Sequence, residues 1–230
     1  ITPCEYPEGE YESTYRLPML PALGNPSEET AASGSVRGKA PSLDGTSRSL
    51  FLGLDLGRDH DLTVIWLLER TREESFLTRG LLTFADTPFS DQEAILYRLL
   101  DMPQLRRACI DQTGLGRQFA ERARQRYGAH RVEPLTFTPA TKEELAYPLR
   151  TAFEDRALRI PPEPALRADL RAIKKVTTAS GNIRFAADRG KNGHADRFWA
   201  LALALHAART PAYQHSQYTA ITRKPSLTLN

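Results

Sequence analysis

One segment near the C-terminal end restricts the fold more than any other part of the chain. Residues 194–208 have the pattern of a helix that is apolar almost all round, because alanine, leucine, phenylalanine and tryptophan fill residues 198–205. A helix without a broad polar face has to be covered by other elements. The sequence therefore predicts that this helix is buried against a β-sheet.

Short apolar runs supply the strands of such a sheet. The first two runs are separated by a polar turn at residues 57–61, which indicates a hairpin. Three meandering strands are followed by strands that alternate with helices, and this order is typical of an α/β fold. The predicted strands are residues 50–56, 62–68, 76–84, 107–111 and 132–137.

Helices are predicted between and after these strands. Thr141 and Glu144 have the T-x-x-E spacing of a capping box, so we expect a helix to begin there and to be kinked at Pro148. The predicted architecture is a mixed five-stranded sheet with helices on both faces. A β-hairpin insertion is predicted over residues 175–187, where Gly181 and Asn182 suit the turn. The predicted helices are residues 90–100, 115–127, 141–155, 164–173 and 194–208.

The composition changes abruptly near residue 50. Residues 1–49 contain six proline, five glycine and seven serine residues and show no sustained periodicity, which is typical of a linker or extended tail. We expect one folded domain over residues 50–210 and a flexible tail over residues 211–230. Because the chain begins with Ile1, we expect it to be a piece of a longer protein.

Charge and composition narrow the classes of function. The net charge is +3, but residues 50–230 carry 27 Lys and Arg against 21 Asp and Glu, which suits a polyanionic partner. No run approaches the roughly 18 apolar residues of a membrane helix. Cys4 and Cys109 are too few for a disulfide scaffold or a zinc cluster, and Cys109 is predicted to be a small buried hydrophobe.

Three aspartates lie where apolar elements end or begin. Asp55 and Asp111 close two predicted strands, and Asp196 opens the buried helix. Aspartate commonly starts a turn or caps a helix, which offers each residue a structural explanation. Asp196, however, shares a helical face with Trp199, which points it inward. Three acids on elements that pack together repel one another unless cations hold them, so the sequence predicts a divalent-metal site.

Basic residues surround the predicted hairpin and the start of the last helix. A solvated basic face is the usual meaning of such a cluster, but here it borders the acidic site and favours contacts with the phosphates of a nucleic acid. His194 is a candidate for contacting a phosphate or orienting a water, although loop polarity also explains it. The basic residues are Lys174, Lys175, Arg184, Arg189, Lys191 and Arg197.

Five short motifs resemble the C-terminal nuclease domain of the large terminase subunits of tailed bacteriophages, and the likeness covers residues 50–208. In chain order these motifs are GLDLG at 53–57, DLTV at 61–64, IDQTG at 110–114, TKEEL at 141–145 and GHADRFWA at 193–200.

The resemblance implies a ribonuclease-H-like fold, akin to Holliday-junction resolvases. It also implies an acidic triad of Asp55, Asp111 and Asp196 that binds two Mg²⁺ or Mn²⁺ ions, one to activate water and one to stabilise the leaving oxygen. Lys142 and the hairpin match family segments near the DNA path. The implied activity is endonucleolytic cutting of concatemeric viral DNA during packaging, with little sequence preference.

The resemblance further implies partners outside this chain. These are double-stranded DNA, an N-terminal packaging ATPase, a small terminase subunit and a portal, in the cytoplasm of an infected bacterial host and without a membrane. Residues 1–49 are then the end of the ATPase region and the interdomain linker. By itself, the piece is expected to be a monomer.

Other functions have distinguishable consequences. A junction resolvase or transposase-like nuclease of the same fold would prefer four-way junctions to linear duplexes. An actin- or hexokinase-like ATPase would bind ATP, but Gly57 is not followed promptly by threonine and 230 residues do not supply two lobes. A non-catalytic DNA-binding or motor-docking module would bind DNA equally well in EDTA. It would not cut DNA, whichever metal is added.

Overall fold

The structure of the chain is a computed structural model that describes residues 49–57, 62–85, 87–177, 183–187 and 195–210. The predicted tail after residue 210 and all but the last residue of the predicted linker lie outside the described residues. Arg189, Lys191 and His194 lie outside them as well.

Six strands form the main sheet in the described part of the chain: β1 (Ser49–Asp55), β2 (Thr63–Arg70), β3 (Phe76–Phe84), β4 (Leu105–Asp111), β5 (Val132–Leu135) and β6 (Leu158–Arg159). Their order is β5-β4-β1-β2-β3-β6. The first three strands form an antiparallel meander, while β4 joins β1 and β5 joins β4 in parallel. The mixed sheet is confirmed, but the prediction of five strands missed β6, which has only two residues and pairs with the start of β3.

Five helices complete the described architecture: α1 (Phe89–Leu100), α2 (Gly116–Tyr127), α3 (Pro139–Glu154), α4 (Pro164–Ala172) and α5 (Asp196–Arg209). The predicted capping box of α3 is wrong. Thr138, with an extended backbone, caps the helix by accepting from the Thr141 backbone N–H, and Thr141 Oγ1 accepts from the Thr138 N–H in return. Pro139 suits the first helical position, and the helix continues past Pro148 to Glu154.

Two apolar layers enclose the sheet. On one face, α5 packs against β1, β2 and β4 and is itself covered by α3 and α4. On the other face, α1 and α2 pack against the remaining side chains of β1 and β4. Helix α5 is buried almost throughout, with the carboxyl-terminal His206 and Arg209 among the exceptions. The prediction of a helix buried against a sheet, with helices on both faces, is confirmed.

Helix α5 approaches the sheet unusually closely at Gly53 of β1. A Cβ atom on Gly53 would lie 2.0 Å from the Ala200 carbonyl oxygen and 2.3 Å from the Ala204 backbone nitrogen. Any larger side chain would collide with helix backbone, which cannot rotate away. Glycine at this position therefore lets α5 lie directly on β1 and sets the distance between the helix and the strand ends.

The two strands of the predicted hairpin are also present, whereas Gly181 and Asn182 of its predicted turn lie outside the described residues. Strands β7 (Ile173–Thr177) and β8 (Ile183–Ala187) pair in antiparallel fashion as a separate two-stranded sheet. Phe185 packs edge-on against Tyr147 of α3 with ring centroids 5.5 Å apart, and Lys175 Nζ donates to the Tyr147 hydroxyl at 2.9 Å. These contacts attach the hairpin to α3. No helix among the described residues combines the length and apolarity needed to span a membrane.

Candidate active site

Asp55 and Asp111 end neighbouring parallel strands on the same face of the sheet. The preceding residues, Leu54 and Ile110, are register partners, so both carboxylates emerge at the same sheet edge. Side chains alternate along a strand, and Gly53 of β1 already faces α5, so Asp55 lies on the face that α5 covers. Only 7% of Asp55 and 5% of Asp111 is exposed. Two negative groups are thus held close to one another with little solvent.

Hydrogen bonds orient the Asp111 carboxylate. Its Oδ1 accepts from the Thr113 backbone N–H at 2.9 Å and from Thr113 Oγ1 at 2.6 Å. Thr113 Oγ1 in turn accepts from the Phe137 N–H at 3.1 Å, which links the end of β4 to the segment after β5. Gly116 packs against the Asp111 carbonyl, where a Cβ would lie only 2.3 Å away. The turn after β4 therefore fixes the carboxylate before any ligand arrives.

Asp196 is the first residue of α5 and is 8% exposed. Its Oδ2 accepts from the Leu62 backbone N–H at 3.1 Å, next to the start of β2. Because β2 is paired with β1, this bond brings the helix N-terminus to the sheet edge that carries Asp55. The predicted inward direction of Asp196 is confirmed.

The backbone just before Asp196 is in a rare conformation. Ala195 has φ 62° and ψ 42°, the left-handed region, and only 3% of it is exposed. This conformation costs a residue with a Cβ about 1 kcal/mol or more, and such residues cluster at functional sites. The left-handed residue lets α5 begin abruptly at Asp196, with the carboxylate already inside the protein.

Lys142 of α3 lies near this acidic region. Its Nζ is 4.5 Å from the centroid of the Trp199 ring and 5.0 Å from that of Phe137. Burial lowers the pKa of Lys142, while the charges of Asp55, Asp111 and Asp196 act in the opposite direction. All three carboxylates therefore favour the charged form of Lys142, and two aromatic rings contact its ammonium.

The hairpin contributes positive charge beside this region. Arg184 of β8 is exposed yet close enough to Lys142 to contribute to the lowering of its pKa. Lys174 and Lys175 are exposed on β7. Arg197 differs from these residues, because its Nη1 donates to Asp169 of α4 at 2.8 Å and its side chain is only 17% exposed. It ties α5 to α4, and little of it remains accessible to a DNA phosphate.

Sequence reasoning missed three features of the site. Thr113 follows Asp111 by two residues, a spacing at which aspartate commonly accepts hydrogen bonds from its own turn, so this signal was available. The aromatic pair that flanks Lys142 was not foreseeable, since Phe137 and Trp199 are far apart in sequence and meet only in the fold, with ring centroids 5.4 Å apart. The bond from Leu62 to Asp196 joins equally distant segments.

Comparison with known proteins identifies a family that covers most of the described chain. Residues 52–208 match the family described as "Terminase RNaseH-like domain". The chain is also similar to the "Probable terminase, large subunit gp28" of Escherichia phage Mu, with 29% identity over 165 residues, which are 71% of this chain. The matched region spans 30% of the length of that relative.

Solved structures of large terminases share the fold. The nuclease of the thermophilic phage G20c with bound magnesium matches with a TM-score of 0.57 and 25% identity, covering 69% of this chain and 81% of that chain. The HK97 bacteriophage large terminase matches with a TM-score of 0.52 and 16% identity, covering 70% of this chain and 39% of that one. These similarities confirm the ribonuclease-H-like fold.

Proposed function

The chain belongs to the terminase RNaseH-like domain family, and on that basis we propose that it is a divalent-metal-dependent DNA endonuclease that cuts concatemeric viral DNA during genome packaging. The observation that carries the proposal is the set of three buried aspartates that the end of the sheet and the start of α5 bring together. Family membership supports a packaging nuclease, and the buried carboxylates support the dependence on metal.

The donor set suits hard divalent cations. Asp55, Asp111 and Asp196 supply only carboxylate oxygens, which are the ligands that Mg²⁺ and Mn²⁺ prefer. Three carboxylates that are each less than 10% exposed repel one another in a poorly solvated place, and divalent cations relieve that repulsion. In the proposal Asp55 is shared by two ions, and Asp111 and Asp196 each bind one of them.

The protein's own part in the reaction is to orient the metal-binding carboxylates and the DNA phosphate. Two bound ions would supply an activated water and stabilise the leaving oxygen. Thr113 holds Asp111 and the Leu62 N–H holds Asp196, so both carboxylates are set before DNA binds. Lys142 is the candidate for binding a non-bridging oxygen of the scissile phosphate, because its ammonium is near enough to the three acids for their charges to raise its pKa.

The hairpin is the proposed path of the DNA backbone. Lys174, Lys175 and Arg184 are exposed beside the acidic cluster and are suited to binding phosphates. Such contacts position the duplex without reading bases, so the proposed cleavage has little sequence preference. Arg189, Lys191 and the auxiliary His194 remain predictions, and Arg197 is the weakest candidate because Asp169 already pairs with it.

The wider assembly is likewise proposed. Residues 50–210 would be the nuclease domain, residues 1–49 the linker from a packaging ATPase, and residues 211–230 a flexible tail. A small terminase subunit and a portal would be partners in the cytoplasm of the infected bacterial host. The name of the phage Mu relative, a probable large terminase, supports this proposal.

A plasmid assay tests the proposed activity. Supercoiled plasmid is incubated with the chain and Mg²⁺ or Mn²⁺, with EDTA as the control, and conversion to open-circular and linear forms is followed on a gel. We expect cleavage with either ion and none in EDTA. DNA binding that persists in EDTA without cleavage under any metal would instead identify a docking module, and a strong preference for four-way junctions would identify a resolvase.

A further inference from the structure

A second group of metal-ligating side chains lies toward the other end of α5. Cys109 of β4 and Glu133 of β5 are register partners, and His206 lies in the last turns of α5. A thiol sulfur, a carboxylate oxygen and an imidazole nitrogen from these residues all lie within 4.8 Å of one another. Within this group, His206 Nε2 is 3.2 Å from Glu133 Oε1.

We propose that Cys109, Glu133 and His206 bind a divalent transition-metal ion of the zinc class. Thiolate, imidazole and carboxylate are the three ligand types that hold Zn²⁺ in proteins, and three protein ligands leave a fourth position for water. A set with sulfur and nitrogen disfavours Mg²⁺, which requires oxygen ligands. The site thus differs in chemistry from the all-oxygen cluster at Asp55, and it does not depend on the proposed nuclease function.

The separations are close to those of a tetrahedral site. Zinc–ligand bonds of about 2.0–2.3 Å place neighbouring donor atoms roughly 3.3–3.7 Å apart. The His206–Glu133 pair, at 3.2 Å, is already at this spacing. The three donor atoms lie within 4.8 Å of one another. A pair at that upper limit would have to approach by about 1 Å to bind one ion. The His206 and Glu133 side chains are 32% and 27% exposed, so the core does not lock them in place.

Arg107 orients the Glu133 carboxylate by binding the oxygen that does not contact His206. Its Nε and Nη2 donate to Glu133 Oε2 at 3.3 and 2.8 Å, and this leaves Oε1 directed at His206. Partners of this kind commonly hold metal-binding carboxylates in place. The metal-free alternative is an ion-pair network of Arg107, Glu133 and His206. The two alternatives differ in one respect, since only metal binding requires the thiol of Cys109.

Access to the site is from the His206 side. Cys109 has no exposed surface, whereas the side chains of His206 and Glu133 are 32% and 27% exposed. A cavity of about 200 Å³ between α3 and α5 is lined in part by His206 and Thr210. An ion can therefore reach the imidazole and the carboxylate first and the thiol last.

Cobalt provides a spectroscopic test that does not rely on activity. The chain is titrated with Co²⁺ in excess Mg²⁺, which competes for the carboxylate cluster but not for sulfur. We expect one equivalent of Co²⁺ to produce a thiolate-to-cobalt charge-transfer band in the near ultraviolet and the intense visible bands of a four-coordinate ion. Zn²⁺ is then expected to displace Co²⁺ and to raise the Tm by several degrees.

Matched variants assign the band to its ligands. Cys109→Ser should abolish it, Cys4→Ser should leave it intact, and His206→Ala should weaken Co²⁺ binding by at least about 10-fold. Because Cys109 is buried, circular dichroism is used to check that the Cys109→Ser variant folds. His206 is partly exposed, so His206→Ala provides an independent test. A band that survives Cys109→Ser, or the absence of any band at stoichiometric Co²⁺, would overturn the proposal.

Discussion

Strand β4 and helix α5 meet at two chemically different clusters. Toward the N-terminus of α5, Asp111 and Asp196 join Asp55 in a set of oxygen donors near one lysine. Toward its C-terminus, Cys109 and His206 join Glu133 in a mixed set of sulfur, nitrogen and oxygen donors. The same pair of elements thus presents ligands for hard cations at one end and for borderline cations at the other.

The oxygen end (Asp55, Asp111 and Asp196) and the mixed end (Cys109, Glu133 and His206) differ in the charges of the groups around their carboxylates. At the oxygen end three carboxylates come together, and each of them raises the pKa of the nearby Lys142. Glu133 is paired with Arg107 and with His206, so that end is already close to balanced. Three carboxylates gathered at a poorly solvated sheet edge repel one another, which is a reason to bind divalent cations there. The oxygen end is therefore the better candidate for the chemistry on DNA.

The largest expected effect comes from removing charge at the oxygen end. Asp55→Asn should reduce plasmid cleavage by at least about 100-fold, because a shared ligand of both proposed ions loses its charge. The matched control is Asp155→Asn, the same change at an exposed carboxylate at the end of α3. Cleavage rates at saturating Mg²⁺ measure the difference. Equal rates for Asp55→Asn and the parent would remove Asp55 from the site.

The second prediction concerns the close contact between Gly53 of β1 and the backbone of α5. Gly53→Ala should destabilise the domain by about 3 kcal/mol, because the new Cβ meets the backbone of Ala200 and Ala204 and forces α5 away from β1. Urea denaturation followed by circular dichroism measures the free energy of unfolding. A loss below about 0.5 kcal/mol would show that α5 can move outward freely, contrary to the close packing described above.

Lys142 distinguishes the oxygen end from a simple metal-binding cluster. Lys142→Met keeps an aliphatic stem against Trp199 and Phe137 but removes the charge, and we expect kcat to fall by about 10-fold to 100-fold. Lys142→Arg should recover part of this loss because it restores the charge. Single-turnover cleavage measures both variants. An unchanged kcat for Lys142→Met would show that its ammonium serves only to neutralise the resting site.

The smallest effect is expected on the hairpin. Arg184→Ala should weaken binding of a linear duplex a few-fold and lower the slope of log affinity against log salt by about one, as expected for one lost phosphate contact. Arg150→Ala is the matched control, since Arg150 is exposed and paired with Glu154 on α3. Fluorescence anisotropy at several salt concentrations measures the slopes. Equal slopes for the two variants would place the DNA elsewhere.

The oxygen end was largely predictable from sequence because its signals are local. Asp55 and Asp111 each follow an apolar run, and residues 198–205 mark a helix that must be buried. Strand order and side-chain alternation then bring the aspartates to one edge. Their placement follows from these patterns, whereas their roles in cleavage remain predictions.

The other end was not predictable, because its contacts depend on register and helix crossing. Nothing near Cys109 in sequence shows that Glu133 lies opposite it or that His206 reaches both. The same reason hid the pairing of Arg197 with Asp169, which weakens one predicted DNA contact. The N-terminal capping residue of α3 was misplaced by three residues, from Thr138 to Thr141, since these two residues form a reciprocal cap that the T-x-x-E pattern does not describe.

The most direct test of the central claim is the location of Mn²⁺ in a crystal of this chain, determined from anomalous scattering at the manganese absorption edge. The account predicts manganese peaks bound by Asp55, Asp111 and Asp196, with no manganese at Cys109, Glu133 and His206. Absence of manganese from the three aspartates at saturating Mn²⁺, in crystals where it binds elsewhere, would contradict it.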